Sequence, residues 1–255
     1  MIDVNVNLSR WPFRRLAGDD PEGLAARLRT RNVSRVWAGT FDGVFHKDLS
    51  SANERLVNDC TRYGAGILVP FGSINPKLPD WQQDLRRCGE EYKMPGIRLH
   101  PNYHGYPLTD PVFANLLHLA SARRLVVQLA VCMEDERTQH PLMRVPPVDL
   151  SPLPDLLKNE PEARVVILNS DHLHNVEQLQ KLAAAGNAHF DISMVEGVGG
   201  VARLAQKISV RRVLFGSHYP LFYFESALLK VREAGLTETE RQAVLEENAR
   251  GMVAS

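Results

Sequence analysis

Two asparagines, two positions apart, lie in the alternating run IDVNVNL near the start of the chain, and a histidine follows the apolar run VLFGS near its end. Side chains two positions apart on a strand lie on the same face. Asn5 and Asn7 are therefore expected to point together into the interior. Carboxamides both donate and accept hydrogen bonds, and an imidazole such as that of His218 exchanges protons near neutral pH. This combination favours the binding of a small polar molecule and acid–base chemistry on it.

Other polar residues end or interrupt further apolar runs, in GIRLH, VVQLA and VVILN. The guanidinium of Arg98 suits a carboxylate or phosphate group. His218 and His100 are the candidate acid–base catalysts. The candidate substrate-binding residues are Asn5, Asn7, Arg98, Gln128, Asn169, Arg137 and His140. Each also has a structural interpretation: amides that satisfy buried backbone groups, an arginine in an internal ion pair, or histidines at the surface.

Eight apolar, β-rich runs recur along the chain, each followed by a helical stretch. Several are nearly continuous in apolar residues, as in strands that are covered on both faces. This alternation predicts an α/β fold, a single (β/α)8 TIM barrel spanning residues 1–255. The runs are Ile2–Asn7, Val33–Gly39, Gly66–Phe71, Gly96–His100, Leu125–Val131, Arg164–Asn169, His189–Ser193 and Val213–Ser217.

An open, doubly wound sheet is the alternative fold, but it predicts a glycine-rich turn after the first strand. Here the first strand leads into LSRWPFRR, which favours the closed barrel. Helix starts are predicted at Asp20-Pro21 and Asp110-Pro111 and at a Thr237/Glu240 capping box. The stretch from Met133 to about Ser151 predicts a long loop, and a loop of that length is often a lid. Arg137 and His140 lie in it.

Composition excludes several classes of protein. Lysine plus arginine equals aspartate plus glutamate, at 30 each, so neither nucleic acid nor a membrane is an expected partner. Three cysteines without CxxC spacing predict reduced thiols. We find neither a signal peptide nor an apolar run long enough to span a bilayer, so the expected location is the cytoplasm. The sequence is compatible with a homo-oligomer.

The motifs DVNVN, GIRLHP, LFGSHYP and ENARGMV, taken in this order, resemble those of the amidohydrolase-related superfamily. The branch in question is that of aminocarboxymuconate-semialdehyde decarboxylase and related hydrolases. Its usual forms are D-x-H-x-H, G-[IV]-[KR]-L-H-P, L-F-G-[ST]-D-Y-P and E-N-A-x-x-L. The resemblance spans nearly the whole chain.

The resemblance implies a divalent metal, usually zinc, held by first- and fifth-strand histidines and an eighth-strand aspartate, with a sixth-strand histidine as acid or base. The corresponding positions here are occupied by Asn5, Asn7, Gln128, His218 and Asn169. Zinc prefers imidazole, thiolate and carboxylate to neutral amides. The usual metal is therefore predicted to be absent or weakly bound.

Three hypotheses for function follow. The first is an enzyme without the usual metal, a hydrolase of a C–N, ester or lactone bond or a decarboxylase, acting on a small anionic metabolite at the barrel mouth. The second is a hydrolase with a relocated metal site built from His100, His140 and His218, with Glu134 or Glu196. His172 and His174 have ligand spacing but lie in a predicted loop. The third is a non-catalytic binding barrel.

Overall fold

In the computed structural model, which describes residues 1–170 and 176–253, eight parallel strands pair in chain order. They are β1 Ile2–Leu8, β2 Arg35–Thr40, β3 Leu68–Ser73, β4 Gly96–Leu99, β5 Val126–Ala130, β6 Arg164–Leu168, β7 Asn187–Asp191 and β8 Val213–Leu214. The last strand returns to the first, because Val4 N donates to Phe215 O and Asn7 N donates to Tyr219 O, both at 2.9 Å. The predicted (β/α)8 barrel is confirmed.

Helices follow the strands and cover the outside of the sheet. They are α1 Pro21–Thr30, α2 Asp42–Phe45, α3 Leu49–Gly64, α4 Trp81–Arg86, α5 Pro101–His104, α6 Pro111–Ala122, α7 Leu153–Asn159, α8 Val176–Ala185, α9 Gly200–Ile208, α10 Phe224–Arg232, α11 Glu238–Gln242 and α12 Asn248–Met252. The predicted caps are present: Asp20 accepts from Gly23 N, Asp110 accepts from Val112 N, and Thr237 forms a capping box with Glu240. Among the described residues, no helix is long and apolar enough to cross a bilayer.

The first strand is irregular, and this irregularity decides which of its residues face inward. Its register against β2 shifts between Asp3 and Val6. Ile2, before the shift, and Val4, within it, pack in the apolar floor of the barrel. Val6, after the shift, belongs to the core between sheet and helices. A bulge of this kind moves the following side chains to the opposite face. Asn5 and Asn7 therefore point into the barrel.

The barrel interior has an apolar floor and a polar upper half. Trp37 and Phe71 stack in the floor at 4.8 Å between ring centroids, and Ala249 and Met252 of α12 pack against the same cluster. Above this layer the inward side chains of the strands are polar and buried. The strands thus bring the predicted site residues to their C-terminal ends, the face at which TIM barrels hold their sites.

Candidate active site at the barrel mouth

A guanidinium group lies at the centre of the polar half. Arg98 reaches from β4 into the barrel and is 1% exposed. Burial lowers its pKa to about 10, so it remains protonated at neutral pH. Its Nε donates to Gln128 Oε1 at 2.8 Å. Nη1 donates to Asn7 Oδ1 at 2.8 Å and to Val6 O at 3.0 Å. Nη2 donates to Trp37 O at 3.1 Å and to Val4 O at 3.4 Å. All five N–H groups are thereby directed at oxygen.

A second network joins β1, β6 and β7. Asn5 Nδ2 donates to Asn169 Oδ1 at 2.7 Å and to Asp191 Oδ2 at 2.8 Å. The backbone N of Asn169 donates to Asp191 Oδ1 at 2.8 Å, and Ser193 Oγ lies 2.7 Å from Asn169 Oδ1. Burial raises the pKa of Asp191. Two candidate amides are thus tied to a buried carboxyl group.

Asp3 is a second buried carboxyl group that we did not predict as a site residue. It accepts from Ser217 Oγ at 2.5 Å, from Ser217 N at 3.0 Å and from Asn5 N at 3.1 Å. Burial raises its pKa to about 7. Asp3 is the first residue of the motif DVNVN, and Asp191 alternates with His189 and Ser193 along HFDIS, so both patterns were visible in the sequence.

His218 is fully buried, and both of its ring nitrogens face protein oxygens. Nε2 lies 2.7 Å from Met133 O, and Nδ1 lies 3.4 Å from Asn5 Oδ1. Burial lowers its pKa to about 4, so the neutral ring donates from Nε2 to the Met133 carbonyl at neutral pH. Its φ of 57° and the φ of 61° at Asn169 are left-handed values that cost energy for side chains with a Cβ.

His100 lies in a different environment. It is fully buried, and neither ring nitrogen has a hydrogen-bond partner among residues 1–170 and 176–253. Within the same ranges, Asn7 Nδ2 and Ser73 Oγ are also buried without a partner. Burial holds the pKa of His100 well below its usual value. The three side chains extend from the ends of β1, β3 and β4, so this part of the barrel mouth has polar atoms that no described residue satisfies.

Aromatic side chains cover this half of the mouth, and we call Trp11, Phe13, Phe41, Phe45 and Tyr103 the aromatic roof. Neighbouring rings in it contact each other with centroids 5.1–5.6 Å apart. They come from the segments that follow β1, β2 and β4. Trp11 and Phe41 are buried in one apolar cluster with Ala130, at the end of β5, and with Met133, which follows it.

Two loops meet above the roof. Arg14, after β1, forms an ion pair with Glu134, after β5. Phe13 and His140 stack with centroids 6.4 Å apart. The Glu134 side chain is 4% exposed, and burial raises its pKa. The predicted long loop after β5, which has no helix or strand before Leu153, therefore touches the β1 loop at two points.

An open groove of about 960 Å³ lies beside this covered region, at the ends of β7 and β8. Ser193 and Lys230 line it, together with Arg137, which pairs with Asp135 and Glu196. Arg137 therefore belongs to the groove and not to the barrel interior. Lys230 Nζ donates to Ser193 O at 2.6 Å.

The predicted site residues are thus divided between three places. Asn5, Asn7, Arg98, Gln128, Asn169, His100 and His218 lie inside the barrel, His140 lies on the covering loop, and Arg137 lies in the groove. The relocated metal site is not assembled: over residues 1–170 and 176–253, no three His, Cys, Asp or Glu side chains form a group that could hold a metal ion. His172 and His174 lie outside the described residues.

The metal implied by the resemblance does not fit this donor set. Asn7 Oδ1 and Gln128 Oε1 accept from a guanidinium, and Asn5 donates its amide protons to Asn169 and Asp191. Zinc prefers imidazole, thiolate and carboxylate ligands, whereas these positions offer amides that are already hydrogen-bonded. A divalent ion here would also face the charge of Arg98.

Comparison with known proteins gives one family and several similar folds. The model of a family described as amidohydrolase matches residues 3–253. No curated protein matches the sequence. The solved structures that the chain resembles include 2,6-dihydroxybenzoate decarboxylase from Rhizobium, at 12% identity and a TM-score of 0.72, covering 99% of this chain and 98% of that one.

Two further structures extend the comparison. The 5-carboxyvanillate decarboxylase of Novosphingobium aromaticivorans, complexed with manganese, has 12% identity and a TM-score of 0.70, covering 89% and 78% of the two chains. The 4-oxalomesaconate hydratase of Rhodopseudomonas palustris has 16% identity and a TM-score of 0.67, covering 94% and 83%. At these identities the likeness establishes the fold.

Proposed function

Because this chain belongs to the amidohydrolase family, we propose that it is an enzyme that hydrolyses an ester or lactone bond in a small, cyclic, anionic molecule. The molecule binds in the upper barrel, under the aromatic roof, and the reaction uses no metal at the family's metal positions. One observation carries the proposal: the buried polar atoms of Asn7, Ser73 and His100 have no partner in the part of the chain that the structure describes.

An unpartnered polar group in a protein interior costs about 1–3 kcal/mol, because its hydrogen bonds to water are lost without replacement. A ligand that bonds these atoms offsets that cost. Asn7 Nδ2 is a donor, neutral His100 offers one donor and one acceptor, and Ser73 Oγ can do either. The matching ligand carries oxygen acceptors and at least one hydrogen donor.

Charge and shape narrow the ligand class further. Arg98 is protonated at neutral pH, and burial raises the pKa of Asp3 to about 7, so the carboxyl group of Asp3 offsets the Arg98 charge only in part. This favours an anion. The aromatic roof favours a flat ring, since aromatic rings attract one another in tilted and edge-to-face contacts such as those within the roof.

His100 is the better placed of the two histidines for proton transfer. Neither nitrogen of its neutral ring is hydrogen-bonded to a described residue, whereas Nε2 of His218 is hydrogen-bonded to Met133 O. As general base, His100 takes a proton from a water molecule that attacks the substrate carbonyl carbon. The developing oxyanion accepts a hydrogen bond from Asn7 Nδ2. The tetrahedral intermediate then collapses: the C–O bond to the leaving alkoxide breaks, and protonated His100 returns its proton to that oxygen. An ester or lactone suits this chemistry because its alkoxide leaves more readily than the nitrogen of an amide.

The test combines ligand binding with turnover on a panel of small aryl esters, lactones and hydroxybenzoates, using protein purified without a tag and treated with chelator. We expect thermal stabilisation by, and hydrolysis of, at least one ester or lactone. His100→Asn should reduce kcat by about 100-fold or more. His118→Asn, at an exposed helix position, is the matched control. Full turnover by His100→Asn, or loss of turnover on chelation, would refute the proposal.

Decarboxylation is a second outcome of the same panel. Two of the similar structures are decarboxylases of dihydroxybenzoate and carboxyvanillate, which are flat, anionic ring compounds of the class proposed here. Release of carbon dioxide from a hydroxybenzoate, with no ester hydrolysis, would replace the hydrolase assignment and keep the ligand class.

A non-catalytic binding barrel is the second candidate function. The observation that favours it is the full burial of His100 and His218, whose lowered pKa values make both weak bases. A protein of this kind would be stabilised by a ligand of the panel without converting it. Stabilisation with no turnover by any compound would favour binding over catalysis.

A further inference from the structure

We propose that the Arg98 guanidinium is a resident cation that takes the place of a metal ion in this barrel. The five oxygens around it form a cation site, and a hard metal ion should occupy that site once the side chain is shortened. The inference rests on the hydrogen bonds of Arg98 and is independent of the proposed catalytic activity.

The oxygens come from three strands that surround the guanidinium. Two are side-chain amide oxygens, Asn7 Oδ1 from β1 and Gln128 Oε1 from β5, each 2.8 Å from a guanidinium nitrogen. Their positions are those at which the resemblance implies histidine ligands. The other three are the backbone carbonyls of Val4, Val6 and Trp37, at 3.0–3.4 Å.

The chemistry of this cage is that of a cation site. All five groups are neutral oxygen acceptors, and among the described residues no carboxylate forms an ion pair with Arg98 at 4.0 Å or less. The nearby carboxyl groups of Asp3 and Asp191 act on the guanidinium only at longer range. Neutral carbonyl and amide oxygens are ligands that calcium and manganese accept and that zinc does not prefer.

The space around the guanidinium is shaped for it. Gly39 on β2 pairs with Asn7 on β1 and has no side chain. A methyl group at this position would stand only 2.6 Å from Nη1 of Arg98, so the glycine leaves the space that the guanidinium occupies. Gln128 is held in place from its other end, since its Nε2 donates to Val4 O at 2.6 Å. Gln128 Oε1 is therefore held independently of Arg98, and the three backbone carbonyls are held by their strands. We expect these four oxygens to keep their arrangement when the arginine side chain is removed, with Asn7 Oδ1 free to turn towards a smaller cation.

The experiment compares wild type with Arg98→Ala and Arg98→Lys. Wild type should show no change in Tm with manganese or calcium and should retain only sub-stoichiometric metal after dialysis. Arg98→Ala should lose about 10 °C in Tm, because five buried acceptors lose their donors. Manganese, calcium or an alkylguanidinium ion should each restore much of that loss, and manganese should be retained at one equivalent.

Two variants make the result interpretable. Arg98→Lys keeps a charge in the cage and should lose less Tm and respond to no metal. Arg164→Ala is the matched control, since Arg164 also donates to backbone carbonyls but lies outside the cage; its Tm should not respond to these cations.

Three results would overturn the inference. The first is a wild type that takes up one equivalent of metal and gains Tm. The second is a folded Arg98→Ala that responds to neither metal nor alkylguanidinium. The third is an Arg98→Lys that binds metal as Arg98→Ala does. If Arg98→Ala is insoluble, metal uptake by wild type and by Arg98→Lys decides the question: uptake by either overturns the inference, and inertness of both supports it.

Discussion

Gly39 and Arg98 are matched to each other across the barrel: a methyl group on Gly39 would stand 2.6 Å from Nη1 of Arg98. The guanidinium cannot yield freely, because it is bonded on all sides. We predict that Gly39→Ala lowers the free energy of unfolding by about 2 kcal/mol or more, through overpacking and displaced hydrogen bonds. Urea unfolding of Gly39→Ala and wild type at neutral pH measures this difference in free energy.

Gly89→Ala is the control for this substitution. A methyl group there meets no neighbour closer than 3.6 Å. We expect Gly89→Ala to leave the free energy of unfolding unchanged or slightly raised. Equal effects of the two substitutions would contradict the matched fit of Gly39 and Arg98.

Asp3 should make the protein less stable as the pH rises. Its folded pKa of about 7 lies above the value of an exposed carboxyl, so the folded state holds this proton more tightly than the unfolded state does. The contribution is fully present below pH ~4 and is lost between pH ~4 and 7, with a slope of at most about 1.4 kcal/mol per pH unit. Asp3→Asn removes that slope.

The measurement for Asp3 is the difference in unfolding free energy between Asp3→Asn and wild type across this pH range. It should grow in favour of the variant up to pH ~7 and then level off. Asp155→Asn, whose side chain is 82% exposed, is the control and should show no such trend. A difference that is independent of pH would exclude the buried, protonated state of Asp3.

Buried histidines should have the opposite effect in acid. Burial lowers the pKa of His104, His189 and His218 to about 4, below the unfolded value. Their contribution to stability is therefore complete above pH ~6.5 and is lost as the pH falls towards 4. We predict that Tm falls steeply between pH ~6.5 and 5, and that His218→Asn makes the fall shallower.

His118→Asn is the control for the acid effect, since the His118 side chain is 62% exposed. It should leave the pH dependence of Tm unchanged. A wild-type Tm that does not change across this range would mean that these rings protonate without loss of the fold, and would contradict their burial.

The ion pair between Arg14 and Glu134 should hold the covering loops closed. Removal of Arg14 leaves a buried carboxylate without its cation, which is more costly than removal of the charge itself. We predict that Arg14→Gln speeds proteolysis within residues 133–148 several-fold, whereas Glu134→Gln does so less. Arg144→Gln, at an exposed position in the same loop, is the control. If the Arg144→Gln variant is cleaved as fast as the Arg14→Gln variant, the ion pair is not the contact that holds the loops closed.

The architecture was predictable because its signals are local. Apolar runs marked all eight strands, and acceptors such as Asp110 and Thr237 marked helix starts that the structure confirms. That Asn5 and Asn7 share a face also followed from their spacing, whereas their inward direction depends on the register shift in β1. The family followed from short motifs, and the family match over residues 3–253 confirms it.

The contacts of the site were not predictable, because they join residues far apart in the sequence. Arg98 was expected to hold an anion, yet its donors reach acceptors contributed by β1, β2 and β5. Asp191 became a site residue only through Asn5, 186 positions away. No periodicity in the sequence indicates which buried carboxyl group lies beside which amide.

The shifted register of β1 carries a consequence for related sequences. With strict alternation from Ile2 and Val4, the side chains entering the upper barrel would be Val6 and Leu8, and the interior there would be apolar. One extra residue in β1 thus decides whether the barrel mouth is lined by polar or by apolar side chains. Homologues that carry both asparagines but lack that residue should present them to the helices instead, so strand length, and not the asparagine motif alone, identifies which of them share this chemistry.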